Sequence, residues 1–292
     1  MNTAVIVTGA GGQLGRELLR TAPAGVTCSG LSRAELDIGQ PGAASQYLAE
    51  HRPTLVINAA AYTAVDAAEE NARSAHQVNA EGAGLLARAC AETGARLIHV
   101  STDFVFDGSS SHPYAPDAPA APLGEYGRSK LAGEHAVADA LDGSVIVRTG
   151  WVYSAFGANF VKTMLRLMAE RDELAVVCDQ VGTPTWANGL AQALWRFAEK
   201  SSLQGIYHWS DAGVCSWYDF AVAIHEEARA IGLLERDVRI RPIPASDYPT
   251  PAQRPAYSVL DKSATWRDLD LEGVQWRRQL RAMLADLKEM QQ

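Results

Sequence analysis

The chain has 292 residues, 47% of them hydrophobic, which is enough to bury a substantial core in one large domain or two unequal ones. Its 34 acidic and 26 basic residues give a formal charge of −8, so no chain-wide positive field exists to hold a nucleic acid backbone or an anionic membrane. The apolar run near the N-terminus is too short for a secretory signal or a membrane span, and Cys28, Cys90, Cys178 and Cys215 stand far apart with no CxxC. The cysteines are expected to be reduced packing residues, and the expected compartment is cytoplasmic.

Val5, Ile6 and Val7 form a short apolar run that ends in glycines, followed by Leu14, Leu18 and Leu19 at helical spacing: strand, tight turn, helix. Further buried strands are predicted over 26–31, 55–58, 97–101 and 145–148, with Ala-rich amphipathic stretches such as 80–93 between them. This alternation predicts an α/β fold, a Rossmann-like doubly wound parallel sheet. After Arg148 the cycle weakens to a helix over 158–170 and a short strand over 174–178, and 190–200 and 205–210 read as a return to the sheet. Beyond 211 two helical stretches flank the Pro-rich segment 241–255. The expected domains are a dinucleotide-binding unit of 1–151 and 182–210, and a smaller, discontinuous α+β substrate-binding unit of 152–181 and 211–292.

The segment 8–15 places Gly9, Gly12 and Gly15 where the first strand meets the first helix, with Gly11, Gln13 and Leu14 among them. Glycines there permit a tight turn, let the backbone approach a pyrophosphate, and allow close helix-to-sheet packing, with the helix N-terminus facing the anion. The second strand ends in Ser32 and Arg33 instead of the acidic residue that usually holds ribose hydroxyls. A hydroxyl and a guanidinium suit a 2′-phosphate, so NADPH is expected in preference to NADH. The alternative is that Arg33 is a solvated loop residue paired with Glu35. Asp37 and Ile38 are placed at the adenine edge, and Ala59, Ala60 and Ala61, after Asn58, are small enough for a nucleotide to lie against the backbone or for helices to pack tightly.

Ser101, Thr102 and Asp103 follow the strand at 97–101, so their side chains are expected at the carboxyl end of the sheet, where ligands bind in open α/β folds. Among nine tyrosines only Tyr126 has a lysine four residues on, Lys130, which puts both on one face of a helix. A neighbouring ammonium is expected to favour phenolate and bring Tyr126 toward a useful acid or base. In a reduction the phenol would donate its proton as hydride reaches a carbonyl carbon, with Thr102 hydrogen-bonded to the same oxygen and Lys130 on the nicotinamide ribose. Each residue alone also has a plain reading, as a surface tyrosine or a solvated lysine.

Taken together, TGAGGQLG (8–15), NAAAYTAVDAAE (58–69), VNAEG (78–82), STDFVFDG (101–108), YGRSKLAGE (126–134), DQVGTPT (179–185) and RPAYSVLD (254–261) resemble the dTDP-4-dehydrorhamnose reductase family of extended short-chain dehydrogenases. The resemblance covers nearly the whole chain. It implies NAD(P)H-dependent reduction of a dTDP-bound 6-deoxy-4-ketosugar, the last step of dTDP-L-rhamnose formation for cell-wall polysaccharide or lipopolysaccharide. It implies Thr102, Tyr126, Lys130 and Asp103 as the catalytic set, Asn79 beside the cofactor, and Val65, Asp66, Trp151, Asn159, Thr185 and Arg254 as substrate contacts. Trp151 would offer a flat face to the sugar and Arg254 a fork to the diphosphate; their alternatives are a core residue and an interface ion pair.

Some members of that family dimerise around magnesium held by two glutamates. Glu17 matches the first, but Asn188 stands at the second, and a neutral amide is a poor ligand for a hard cation. Magnesium is therefore not expected, and the chain is taken as a monomer or a homodimer. Competing readings are a talose-type 4-ketoreductase, a 4-epimerase, a 4,6-dehydratase, which Phe104 after Asp103 disfavours, and a non-catalytic NADP-binding subunit like the regulatory partner of methionine adenosyltransferase.

Overall fold

The computed structural model describes residues 4–291; the readings made on Met1 to Thr3 and on Gln292 lie outside them. In chain order come β1 (Ala4–Thr8), α1 (Gln13–Arg20), β2 (Thr27–Leu31), α2 (Ala43–His51), β3 (Leu55–Asn58), α3 (Val65–Glu70), α4 (Ala72–His76) and α5 (Ala83–Thr93). They are followed by β4 (Arg96–Thr102), α6 (Glu125–Ala140), β5 (Val145–Thr149), β6 (Val152–Tyr153), α7 (Phe160–Glu170), β7 (Glu173–Val177), β8 (Val181–Gly182) and β9 (Thr185–Trp186). The chain ends with α8 (Ala187–Glu199), β10 (Gly205–His208), β11 (Cys215–Ser216), α9 (Trp217–Ala230), β12 (Arg239–Ile243), α10 (Ser263–Leu269) and α11 (Trp276–Glu289).

Six strands run parallel in the order β10-β5-β4-β3-β1-β2. Side chains alternate across a strand, and both faces here are covered, which is why the strands read as continuous apolar runs. Val5, Val7, Ile57, Ile98 and Val147 face Leu14 and Leu18 of α1 and Leu190 and Leu194 of α8. Ile6, Val56, Leu97 and Ile146 face Leu48 of α2, Leu86 and Cys90 of α5, and Val137 of α6. The chain leaves β1 to one side for β2 and returns to the other side for β3, so a crevice opens between the carboxyl ends of β1 and β3.

A separate core forms from α7, β7, α9 and α11, where Val161, Met164, Met168, Leu174, Phe220, Ile224, Leu280 and Leu284 are buried together. Short ladders edge it: β7 pairs with β12, β8 with β11, and β6 with β9.

Two details depart from the sequence pattern. Residues 263–271 do not join that second core: Leu269 packs into the sheet's core with Trp266 and Leu271 against it, a pattern too short to announce its side from spacing alone. The helix expected over 80–93 begins earlier, as α4 and a π-helical turn at Gln77–Gly82 that carries Asn79 into the interior.

Candidate active site

The carboxyl ends of the sheet strands and the second core enclose a cavity of about 830 Å³. Gly9, Gly11, Gly12, Gln13 and Leu14 form its floor. Gly9 has φ +71°, and a Cβ there would stand 2.6 Å from the Ala60 nitrogen. A Cβ on Gly15 would stand 2.3 Å from the Gly9 carbonyl oxygen, so glycine is needed at both positions for α1 to approach the sheet. Gly15 itself does not line the cavity; its contribution is this packing. Ala59, Ala60 and Ala61 line the adjoining wall, and the buried Asn58 sets their course. Thr8 Oγ1 donates to Asn58 Oδ1 at 2.7 Å, the Ala60 N–H donates to the same oxygen, and Asn58 Nδ2 donates to His99 Nδ1. A turn of three glycines and one alanine at a helix N-terminus, beside small residues, fits a dinucleotide pyrophosphate.

Ser32, Arg33, Asp37 and Ile38 line the far end of the cavity. Arg33 pairs with Asp37 at 3.0 Å, not with Glu35, whose carboxylate instead accepts the Ser32 N–H at 2.7 Å and is held below the usual range by it. Asn79 does not line the cavity and acts as a support for its wall. It is 1% exposed, its amide nitrogen donates to the Tyr62 carbonyl and to Ser129 Oγ, and its oxygen accepts the Tyr62 N–H. Every polar atom of that side chain is spent on fixing the loop behind the cavity wall.

Thr102 ends β4 and Tyr126 is the second residue of α6, and both line the cavity with Asp103 and Lys130. α6 is brought in by small residues: a Cβ on Gly127 would stand 2.2 Å from the Phe104 carbonyl oxygen, and one on Gly133 would stand 2.0 Å from that of Asn79. Lys130 is 2% exposed and its Nζ donates to the Val100 carbonyl at 2.7 Å. Burial pulls its pKa down to about 8, against the carboxylate of Glu134, which raises it. Burial pushes the Tyr126 phenol up to about 12, with the Thr102 hydroxyl lowering it and the charge of Asp103 raising it. In the free protein desolvation outweighs the expected pull of the ammonium, so the phenol is held protonated until a cofactor's positive nicotinamide is present to act on it. Asp103 is likewise pushed up, to about 6, by burial.

Behind these groups Glu134 and Arg148 form a buried ion pair at 2.7 Å, with Ser101 Oγ also donating to Glu134. Thr149, at the end of β5, has a buried hydroxyl without a partner and lines the cavity.

The substrate contacts implied by resemblance divide. Val65, Trp151, Asn159 and Arg254 line the cavity; Asp66 and Thr185 do not. Asp66 accepts the Arg254 fork at 2.8 and 2.9 Å, so that guanidinium is engaged by a carboxylate 188 residues away in sequence. Arg254 thus lies at the cavity edge in an ion pair that a bound diphosphate would have to share or displace. Thr185 is fully buried, and its N–H donates to the Trp151 carbonyl. Asn159 caps α7, and its amide donates to Gln13 Oε1 at 2.9 Å. Trp151 has one face covered by Trp217, whose ring centroid lies 3.5 Å away.

Trp217, Phe160 and Phe220 complete the wall and were not foreseen. The only local signal was the helix start at Ser216, with Asp219 three residues later.

Glu17 does not fit a metal. It is fully buried, and its oxygens accept Ser154 Oγ at 2.7 Å and Asn188 Nδ2 at 3.0 Å, while Arg20 pairs with it at 2.8 Å. A cation would have to displace an arginine already placed there. Among the described residues no helix is long and apolar enough to cross a membrane.

A family model described as the RmlD substrate binding domain matches residues 2–289. The chain is 43% identical to a dTDP-4-dehydrorhamnose reductase of Burkholderia thailandensis, covering 97% of this chain and 98% of that one. It is 41% identical to a Streptomyces antibioticus protein named probable dTDP-4,6-dihydroxy-2-methyloxan-3-one 4-ketoreductase, covering 97% and 95%. The crystal structure of a Bacillus anthracis dTDP-4-dehydrorhamnose reductase in complex with NADP matches with a TM-score of 0.92 at 36% identity, covering 98% and 100%. The chain therefore belongs to the RmlD substrate binding domain family, over which its sheet, its glycine turn and its Thr102, Tyr126 and Lys130 constellation extend.

Proposed function

We propose that this protein reduces the C4 keto group of dTDP-4-dehydro-L-rhamnose to give dTDP-L-rhamnose, with NADPH preferred over NADH. The observation that carries this reading is the meeting of Thr102, Tyr126 and Lys130 with the glycine turn in one cavity. A bound NADPH supplies the hydride. Tyr126 gives its phenolic proton to the C4 oxygen as negative charge develops there; Thr102 Oγ1 hydrogen-bonds the same oxygen. Lys130, charged below about pH 8, fixes the cofactor ribose and favours the phenolate that remains. In the free protein the Thr102 hydroxyl donates to Asp103 at 3.1 Å, and it would turn that one proton to the C4 oxygen when substrate is bound.

The chain divides, in this reading, into a dinucleotide-binding unit built on the sheet, including α10, and a substrate-binding unit built on the second core. Magnesium has no place in it, since Arg20 and Asn188 hold Glu17.

Purified protein mixed with NADPH and dTDP-4-dehydro-L-rhamnose should consume the reduced nicotinamide, followed by absorbance. Tyr126→Phe should lower kcat by about 10²–10⁴ while leaving NADPH affinity unchanged, because the phenol acts in the transition state. No consumption by the wild type would refute the reductase and leave a nucleotide-binding module.

A further inference from the structure

Trp151 is gripped by three elements. Its φ is +50°, a left-handed conformation in which a bulky side chain is strained unless its surroundings hold it. Its carbonyl accepts the Thr185 N–H at 3.1 Å, which fixes the backbone to β9. Its indole lies so close to Gly182 that a Cβ there would stand 2.5 Å from the ring. The Trp217 indole lies parallel to it, 3.5 Å away with 4° between the planes.

The two groups that contact the ring share one ribbon. Gly182 pairs with Cys215 in the β8–β11 ladder, and Trp217 follows Ser216 as the first residue of α9. That helix start is locked by a capping box: the Asp219 N–H donates to Ser216 Oγ while the Ser216 N–H donates to the Asp219 carboxylate. Phe160 packs on Trp217 with centroids 4.6 Å apart. The backbone under Trp217 is therefore held in place, and its ring passes that restraint to Trp151, two residues beyond the end of β5, the neighbour of β4 in the sheet.

We propose that Trp217 is a positioning residue for the sugar-nucleotide end of the site. With Gly182 it forms the slot that fixes Trp151, and the stacked pair, not Trp151 alone, is the aromatic wall against which the sugar nucleotide is placed. The proposal deepens the reductase reading and rests on it for the identity of the ligand. A single indole held at a strained φ would be free to relax and leave the cavity edge undefined. Two indoles in van der Waals contact present one fixed apolar surface.

The test compares Trp217→Ala and Trp217→Phe with the wild type in two measurements. The first uses protein labelled with 5-fluorotryptophan, the Trp151 resonance being assigned by its loss in Trp151→Phe; it needs no substrate. Trp217→Ala should shift and broaden that resonance, and Trp217→Phe should leave it sharp. The second is steady-state kinetics, in which Trp217→Ala should raise KM for dTDP-4-dehydro-L-rhamnose roughly three- to tenfold, the worth of an aromatic pair. The change in kcat should be smaller, NADPH affinity should hold, and Trp217→Phe should recover most of the loss. A Trp151 resonance indifferent to Trp217→Ala, or a KM that does not move, overturns the proposal. If the wild type turns over no substrate, the reductase reading fails, and the fluorine spectrum still decides whether Trp217 fixes Trp151.

Discussion

In the proposed reading Arg33 would decide between the two nicotinamide cofactors, and the structure allows the size of that effect to be worked out. Its side chain is 80% exposed and its Nε pairs with Asp37, four residues on, at 3.0 Å. To bind a 2′-phosphate it must leave that pair. An exposed i,i+4 pair in water is worth less than about 1 kcal/mol, because solvent screens it and both side chains lose rotamer freedom. A hydrogen bond to a charged phosphate is worth about 1.5–3 kcal/mol. The ligand therefore wins by about 1–2 kcal/mol, a factor of roughly five to thirty in Kd.

Arg33→Ala should weaken NADPH by that factor in a fluorescence titration and leave NADH nearly unchanged, since NADH offers a hydroxyl where NADPH offers the phosphate. The advantage should shrink as salt rises, because the site is open to solvent. Asp37→Asn should act in the opposite direction, since it releases the guanidinium and removes a like charge from the phosphate. Equal weakening of both cofactors, or none of either, would refute the assignment of Arg33 to the 2′-phosphate and return it to a solvated loop position.

The pH dependence has a definite sign. With Lys130 at about 8 in the free protein, kcat/KM for reduction should hold level toward pH 8 and fall above it as the ammonium is lost. Over the same interval, from 8 up to the model-peptide value of 10.5, the unfolded chain binds the extra proton, so this group's contribution to stability rises with pH; activity lost there while urea resistance holds separates titration from unfolding. Glu134→Ala, which strands the buried Arg148, should cost about 3–5 kcal/mol in urea denaturation. Chelation with EDTA should leave both activity and Tm unchanged, because Glu17 is held by Ser154, Asn188 and Arg20; a loss restored by magnesium would contradict that reading.

What the sequence disclosed was chemistry compressed into short segments. The glycine turn is legible because strand end, turn and helix start are consecutive, and Gly9 and Gly15 answer a steric demand within a few residues of themselves. Tyr126 and Lys130 are legible because a helix converts a four-residue interval into a shared face. The cavity wall was not, since Trp151 and Trp217 meet across 66 positions only because β8 pairs with β11, and no periodicity encodes that pairing. Residue type also misled where two readings shared one side chain. Arg254 has the fork for a diphosphate and Asp66 occupies it, and Asn79 has donors for a cofactor and gives them to the Tyr62 carbonyl and Ser129 Oγ, partners that spacing does not reveal. The phenol pKa was misjudged for a related reason: spacing reveals the neighbouring ammonium but not the burial that outweighs it.

These long-range contacts converge on one short helix. Gln13, Glu17 and Arg20 fall at i, i+4 and i+7 of α1 and so share a face, while Leu14 and Leu18 turn to the sheet's core. That polar face reaches toward the second core through Gln13 on Asn159 at the cap of α7, Glu17 on Ser154 and Arg20 on Asp286 of α11, while Glu17 also accepts Asn188 of α8. The same helix begins at the glycine turn and aims its N-terminus into the cavity. In the proposed reading the element that would hold the pyrophosphate thus also ties the cap of α7 and α11 to the sheet. In the proposed reading the spacing between a nicotinamide and a sugar carbon in this cavity would then depend on packing along α1.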